Sequence, residues 1–458
     1  MRATKLVAAA VALTLVGAAC SSDKATNATT TKAGDTATTT KAGDTTTSGA
    51  AMADVSLRWS TRPDNQAEID VYQKVSDELT AKKMGFSLKY EPGNSETSSY
   101  QDKIKTAIAG GTAPDVFWIP GTDLADFATK GLILNLADQA KATKDFSADS
   151  FYKEQMYHLA YDPKTNKSGE GTALWGLPRD VSTFALYINN DLIAKAGADD
   201  PRALAKAGKW DWAAFKDLSE KVAKLGGANK GFAMSNWWAN PGAFINAAGG
   251  GFFNADRTAC ALDSKESLAG LQFVADLYKG GSAVPYGDDG EKPFQAGTVG
   301  MFLNGRWATP GNRAAAKFGW DVVTLPKGPK DTSDWLFWGA YVVNAKTAHP
   351  KEAWALVQAL TTGDVQGEVA ALGANIPSRK GDDVFAKFLT FNPPANNQAF
   401  LDGLNKGIVV AEGPLWQGDW PAFDKVMEPA LESVIKGSKT VEEFGKTICS
   451  DEKANFKG

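Results

Sequence analysis

Between residues 55 and 119 the apolar pattern changes period four times, and this switching limits the fold more than any other feature of the chain. Val55, Leu57 and Trp59 alternate with polar residues, which is the period of a pleated strand. Ile69, Tyr72, Val75, Ser76 and Leu79 then fall at helical spacing. A second strand at 86–90, a second helix at 100–109 stopped by Gly110-Gly111, and a third strand at 115–119 complete the pattern. Alternation of strand and helix predicts an α/β fold with a parallel sheet. Open sheets of that kind bind ligands beyond the carboxyl ends of their strands, so residues 60–66 and 118–123 are expected to face a crevice.

A second set of elements begins near residue 173. It contains an apolar run at 184–188, helices at 191–196 and 212–225, and a helix at 264–279 whose Leu268, Leu271, Val274, Ala275 and Tyr278 form a core stripe. Short strands follow at 299–303, 320–325 and 340–343, with helices at 350–360 and 427–436.

Residues 1–20 have a different character. Arg2 and Lys5 precede an apolar run from 6 to 16, and small residues lead into Cys20, as in an export signal. The run is shorter than the ~18 apolar residues that spanning a bilayer requires. Its end resembles the lipobox of bacterial lipoproteins: Ala18-Ala19-Cys20 match, while Gly17 stands where Leu is usual. Residues 21–52 carry almost no apolar bulk and repeat TTTKAGDT at 29–36 and 38–45, the composition of a disordered tether. Such a tether of ~30 residues reaches roughly 30 Å. The expected place is therefore the outer face of a bacterial cytoplasmic membrane, with Cys20 as the lipid attachment point. Cys260 and Cys449 remain as an even pair in an oxidising setting, compatible with a disulfide or with two buried thiols.

Composition removes several functions. A net charge of −4 argues against a dedicated nucleic-acid binder. Two histidines, His158 and His349, leave little for a metal site or a Ser-His-Asp hydrolase, so no metal or other cofactor is expected. The Gly pairs lack a nucleotide P-loop pattern.

Several segments together resemble the solute-binding proteins of ABC importers, in the sugar-binding family that includes maltose-binding protein. They are Gly110-Gly-Thr-Ala-Pro-Asp-Val116, Leu174-Trp-Gly-Leu-Pro178 running to Tyr187-Ile-Asn-Asn-Asp-Leu192, and Asn246-Ala-Ala-Gly-Gly250. Phe294-Gln-Ala-Gly-Thr-Val-Gly-Met301 with Asn304-Gly-Arg-Trp307, and Ala353-Trp354 leading to Asn375-Ile-Pro-Ser-Arg379, continue the series. The resemblance implies a two-lobed periplasmic-binding-protein-like fold, each lobe a central sheet flanked by helices, with the ligand cleft between lobes. Its crossovers would put 54–177 plus 305–361 in the first lobe and 178–304 plus 362–458 in the second. Cys260 and Cys449 then share a lobe. The resemblance further implies a monomer that delivers a carbohydrate to permease subunits and carries no catalytic residues.

The residues themselves agree with a carbohydrate ligand. Sugars pack C–H faces on aromatic rings and direct hydroxyls at Asp, Asn, Arg and indole N–H groups. Several of the 14 tryptophans sit in polar, Gly/Pro/Asn-rich surroundings, Trp237 and Trp238 most clearly. One of that adjacent pair is expected to face the cleft and the other to anchor the loop. By the family pattern Trp118, Trp307, Trp338 and Trp420 are further aromatic candidates, with Trp416 beside the last. Asp123, Asp180, Arg306, Asn65 and Arg379 are polar ones, and Ser182 stands where the family has an acid. A helix cap is the alternative for Asp123, and a turn for Asn65. Competing functions are a secreted glycoside hydrolase, which also sets carboxylates beside aromatics, and a receptor for a polyol phosphate or polyamine.

Overall fold

The computed structural model describes residues 55–93, 97–169, 173–255, 257–411 and 420–455. Cys20, the 21–52 segment and Trp416 lie outside them. Among the described residues, ten strands are distributed over two sheets. They are β1 (Val55–Thr61), β2 (Phe86–Pro92), β3 (Val116–Pro120), β4 (Leu177–Ser182), β5 (Phe184–Asn189), β6 (Lys230–Met234), β7 (Val299–Gly305), β8 (Trp320–Val323), β9 (Ser333–Val343) and β10 (Ile408–Ala411). The first sheet runs β10-β9-β3-β1-β2, with β4 also paired to β9; the second runs β6-β7-β5-β8.

The alternating segment at the start forms the parallel part of the first sheet, β1 pairing with both β2 and β3. Its helix Gln66–Ala81 starts at Asn65, whose side chain accepts the N–H of Glu68 and satisfies a donor that the helix would otherwise leave open. Tyr72, Val75, Ser76 and Leu79 turn inward. Trp59 fills the space above them, its ring 4.6 Å from Tyr90 and its indole N–H bonded to Ser76 Oγ at 3.1 Å.

The parallel expectation does not extend to the rest of the chain. β9 is antiparallel to β3 and β4, and β5 is antiparallel to β7 and β8, so both sheets are mixed. Two elements pack across the division that the resemblance implies. β8, placed with the first lobe by the resemblance, pairs with β5 of the second sheet. The helix Gly363–Ala370, placed with the second lobe, packs on Gln66–Ala81, where Glu368 meets Lys74 at 2.9 Å. The reason lies in β9. All eleven of its residues are buried, with Trp335 and Phe337 entering the core of the second sheet and Leu336, Trp338 and Ala340 entering that of the first. This one strand carries the chain from the second sheet back to the first.

The core of the second sheet gathers Phe184, Leu186 and Ile188 with Phe215, Phe232 and Phe244. A disulfide between Cys260 and Cys449 ties the loop after Phe253 to the helix Val441–Asp451 beside that core. Among the described residues no helix is long and apolar enough to cross a membrane.

Candidate functional site

A cavity of about 370 Å³ lies where the strand ends of the two sheets meet. The loop after β1 brings Arg62 and Asp64, β3 ends in Trp118 and Pro120, and β4 contributes Arg179, Asp180 and Ser182. From the second sheet come Ser235, Trp237 and Asn240 after β6, and Asn304 and Trp307 at the end of β7. Phe337, Trp338 and Gly339 of β9 lie between the two groups. Both segments expected to face a crevice, 60–66 and 118–123, contribute lining residues.

Glycines seat the aromatic walls. A Cβ on Gly339 would lie 1.9 Å from Trp118 Nε1, one on Gly121 would lie 2.5 Å from the Trp338 ring, and one on Gly305 would lie 2.2 Å from the Trp307 ring. Ordinary carbon contacts begin near ~3.5 Å, so each indole occupies the space that any other residue would fill. Trp237 stacks on Phe337 with centroids 5.1 Å apart and planes 29° apart, and Trp307 meets both edge-on at 6.1 and 5.3 Å. Trp118 and Trp338 are buried in the wall, while Trp237 and Trp307 are half-buried.

The polar groups form a network of alternating charge. A bulge in β4 between Pro178 and Asp180 re-aims Arg179. Arg179 reaches Asp180 Oδ2 at 2.6 Å and donates to Thr61 Oγ1 and the Arg62 carbonyl at 2.8 and 2.9 Å. Arg62 holds Asp64 at 2.5 Å. The guanidinium groups of Arg179 and Arg62 stand 4.8 and 5.4 Å from the Trp118 ring. Beneath them the fully buried Glu68 accepts the Asp64 N–H at 2.8 Å and the Asn375 amide at 3.3 Å. Burial, reinforced by the charge of Asp64 and opposed by Arg179, pushes the Glu68 carboxyl up to about 8. Burial also raises Asp180, against the pull of Arg179. Two buried polar atoms at the cavity, Trp118 Nε1 and Asn240 Oδ1, have no hydrogen-bond partner. One is a donor and the other an acceptor, so a polyhydroxyl ligand could satisfy both.

Six of the residues singled out from sequence, Trp118, Trp237, Trp307, Trp338, Asp180 and Ser182, are brought together here. The others lie elsewhere, each for a local reason. Trp238 is packed in the second core, edge-on to Trp335 at 5.0 Å and to Trp420 at 4.8 Å, and Trp420 shares that core. Asp123 closes a turn before the helix Leu124–Thr129 and binds Gln101 at 2.5 Å. Burial, first among its causes, raises its pKa. Arg306 is fully buried over the rings of Phe388 and Phe400, at 4.8 and 5.0 Å, and burial pushes its guanidinium down to about 9. Asn65 is the helix cap described above, and Arg379 lies 5.2 Å from the Phe151 ring. Arg62, Asp64, Arg179, Asn240, Phe337 and Asn375 were not singled out from sequence. Adjacency was the available signal for two of them, since Asp64 precedes Asn65 and Arg179 precedes Asp180. No group of three or more His, Cys, Asp or Glu side chains suited to a metal ion occurs among the described residues.

The family described as bacterial extracellular solute-binding proteins matches residues 74–383. A putative binding protein of Brucella abortus strain 2308 is 23% identical over 322 residues, covering 68% of this chain and 72% of that protein. Among solved structures, an ABC substrate-binding protein of Listeria monocytogenes in complex with cycloalternan is similar with a TM-score of 0.75 and 21% identity, over 88% of this chain and all of that one. The GacH receptor of Streptomyces glaucescens, studied unliganded and with acarbose, gives a TM-score of 0.72 at 20% identity, over 88% of this chain and 98% of its own. At these identities the likeness is one of fold, that of two-lobed binding proteins.

Proposed function

The chain belongs to the bacterial extracellular solute-binding proteins, and from that premise we propose that it is a carbohydrate receptor that hands its ligand to the permease of an ABC importer. The family places its work outside the cytoplasm. The observation that carries the reading is the cavity: four indoles and a phenyl ring lie around a network of Arg, Asp and Asn side chains. Flat apolar walls fit the C–H faces of a pyranose. Trp118 Nε1 and Asn240 Oδ1 offer a donor and an acceptor in fixed directions. The similar proteins whose names state cycloalternan and acarbose as ligands support the same class.

We read the site as binding without catalysis. Asp64 and Asp180 are each held by a guanidinium. Glycoside hydrolysis, in contrast, needs one carboxyl free to give its proton to the leaving oxygen. Lipid attachment at Cys20 completes the proposal, keeping a monomeric receptor near its permease. Replacing Cys20 by Ser should move the protein from the membrane fraction to the medium.

The test of the ligand class is a thermal-shift screen of mono- and oligosaccharides, with glycerophosphodiesters and polyamines alongside. A sugar at 100 times its dissociation constant should stabilise by about 2.7 kcal/mol. Stabilisation by a phosphodiester or polyamine and by no sugar would overturn the carbohydrate reading. Hydrolysis products accumulating in proportion to protein would overturn the binding reading.

A further inference from the structure

We infer that the disulfide-anchored loop bearing Arg257 is a strap that grips the opposite side of the cleft, fastening on His158 behind Trp338. The inference rests on the cleft described above. The loop leaves Phe253 and returns at Cys260, which are joined by a β-bridge, and Cys260 is bonded to Cys449 on the helix Val441–Asp451. Both ends thus belong to the second sheet's side. Asn254 braces the turn, its Oδ1 accepting the N–H groups of Thr258 and Ala259 at 2.8 and 3.0 Å. Arg257 sits at its tip with φ of 61°, a left-handed conformation that a long side chain adopts only when the surroundings impose it.

The guanidinium leaves that turn and reaches His158, its Nη1 lying 3.3 Å from Nε2 of the ring. His158 belongs to the helix Lys153–Leu159, which packs on β4 of the first sheet. A guanidinium only donates, so Nε2 is the acceptor and the proton of the neutral ring is on Nδ1, which has no hydrogen-bond partner. The imidazole in turn lies parallel to Trp338, with planes 13° apart and centroids 6.2 Å apart. The same helix holds β4, since Gln155 donates to the carbonyl of Asp180 at 3.0 Å. The strap therefore touches a helix that supports two cleft residues, Trp338 and Asp180. Burial, together with the Arg257 charge, lowers the His158 pKa to about 3, which keeps the ring in the neutral form that this contact needs. Arg257 and His158 are accordingly positioning residues, acting through Trp338 and through closure of the lobes.

The experiment measures the distance between spin labels at Lys89→Cys and Lys216→Cys, one on each side, in the full chain carrying Cys20→Ser. Arg257→Ala should shift the closed-to-open ratio about tenfold toward open, the scale of a lost charge-assisted hydrogen bond. Arg257→Lys, which keeps charge and one donor, should recover part of that shift. The Cys260→Ser/Cys449→Ser pair should broaden the distances in the same direction. Distances unchanged by Arg257→Ala would overturn the strap, and His158→Gln, should it fold, must leave Arg257→Ala without further effect. Maltotriose serves as the binding probe in a separate titration. A shift in the distances with no maltotriose binding leaves the strap standing and weighs against the sugar reading alone.

Discussion

Substituting Gly339 by Ala should cost both binding and stability, because the methyl group would enter the Trp118 ring. The added Cβ would lie 1.9 Å from Trp118 Nε1, against a normal contact near ~3.5 Å, so one of the two must move by about 1.6 Å. Neither can do so easily. Gly339 is fixed between strands, opposite Pro120 of β3 and Asp180 of β4. Trp118 has the Arg179 and Arg62 guanidinium groups within 4.8 and 5.4 Å and the Tyr100 ring at 5.7 Å. Overpacking of this kind costs roughly 1–3 kcal/mol, and a displaced cation–π contact adds ~0.5–2 kcal/mol. Gly339 does not have a positive φ, so backbone strain plays no part. Urea unfolding should show a loss of about 1.5–5 kcal/mol, and calorimetric titration with the best sugar from the screen should show affinity reduced by about tenfold or more. Wild-type stability together with wild-type affinity would refute the argument that the glycine exists to seat the indole.

Trp237→Ala should weaken sugar binding by roughly 1–3 kcal/mol in calorimetry and leave the ligand-free melting temperature nearly unchanged. Trp238→Ala, in the core between Trp335 and Trp420, should cost about 3–5 kcal/mol of stability by urea unfolding. Removing the Cys260–Cys449 disulfide, which links positions 189 residues apart, should cost roughly 2–5 kcal/mol in the same assay, with no added effect of reductant on the variant. Glu68 is neutral in the folded protein up to about pH 8 and ionises near ~4.3 when unfolded. The folded state therefore binds the extra proton between those values, and stability should fall as pH rises from about 4.5 to 8. Glu68→Gln should flatten that slope; an unchanged slope in the variant would assign it to other groups.

The residues show why some features were legible in the sequence and others were not. The strands β1 and β2 and the helix between them were readable because each has exposed positions beside a buried face, so the period of the pattern reports the structure. β9 has no such face. Ser333–Val343 is buried on both sides, its Trp-Leu-Phe-Trp run has no alternation, and only its end was recognised as a strand. That same strand returns the chain from the second sheet to the first. Adjacency of Trp237 and Trp238 implied that their side chains diverge, but the direction is set by Phe337 and Trp335, a hundred residues away. Asn65 and Asp123 carried two readings each: Asn65 caps the helix Gln66–Ala81 with its side chain, whereas Asp123 stands at a helix start without capping it and is held by Gln101 instead. Arg62 was not singled out at all, and Asp64 and Arg179 were signalled only by their adjacency to Asn65 and Asp180. In sequence an ion pair at a cleft looks like any surface charge.

Hydrogen–deuterium exchange with and without the strongest-binding sugar tests the central claim most directly, because it locates the ligand without presupposing a contact. Sugar should slow exchange in peptides covering 60–66, 116–123, 177–182, 235–240, 304–307 and 333–339, the segments from both sheets that line the cavity. Protection confined to one sheet, or centred on a different part of the surface, would contradict a ligand held between the two.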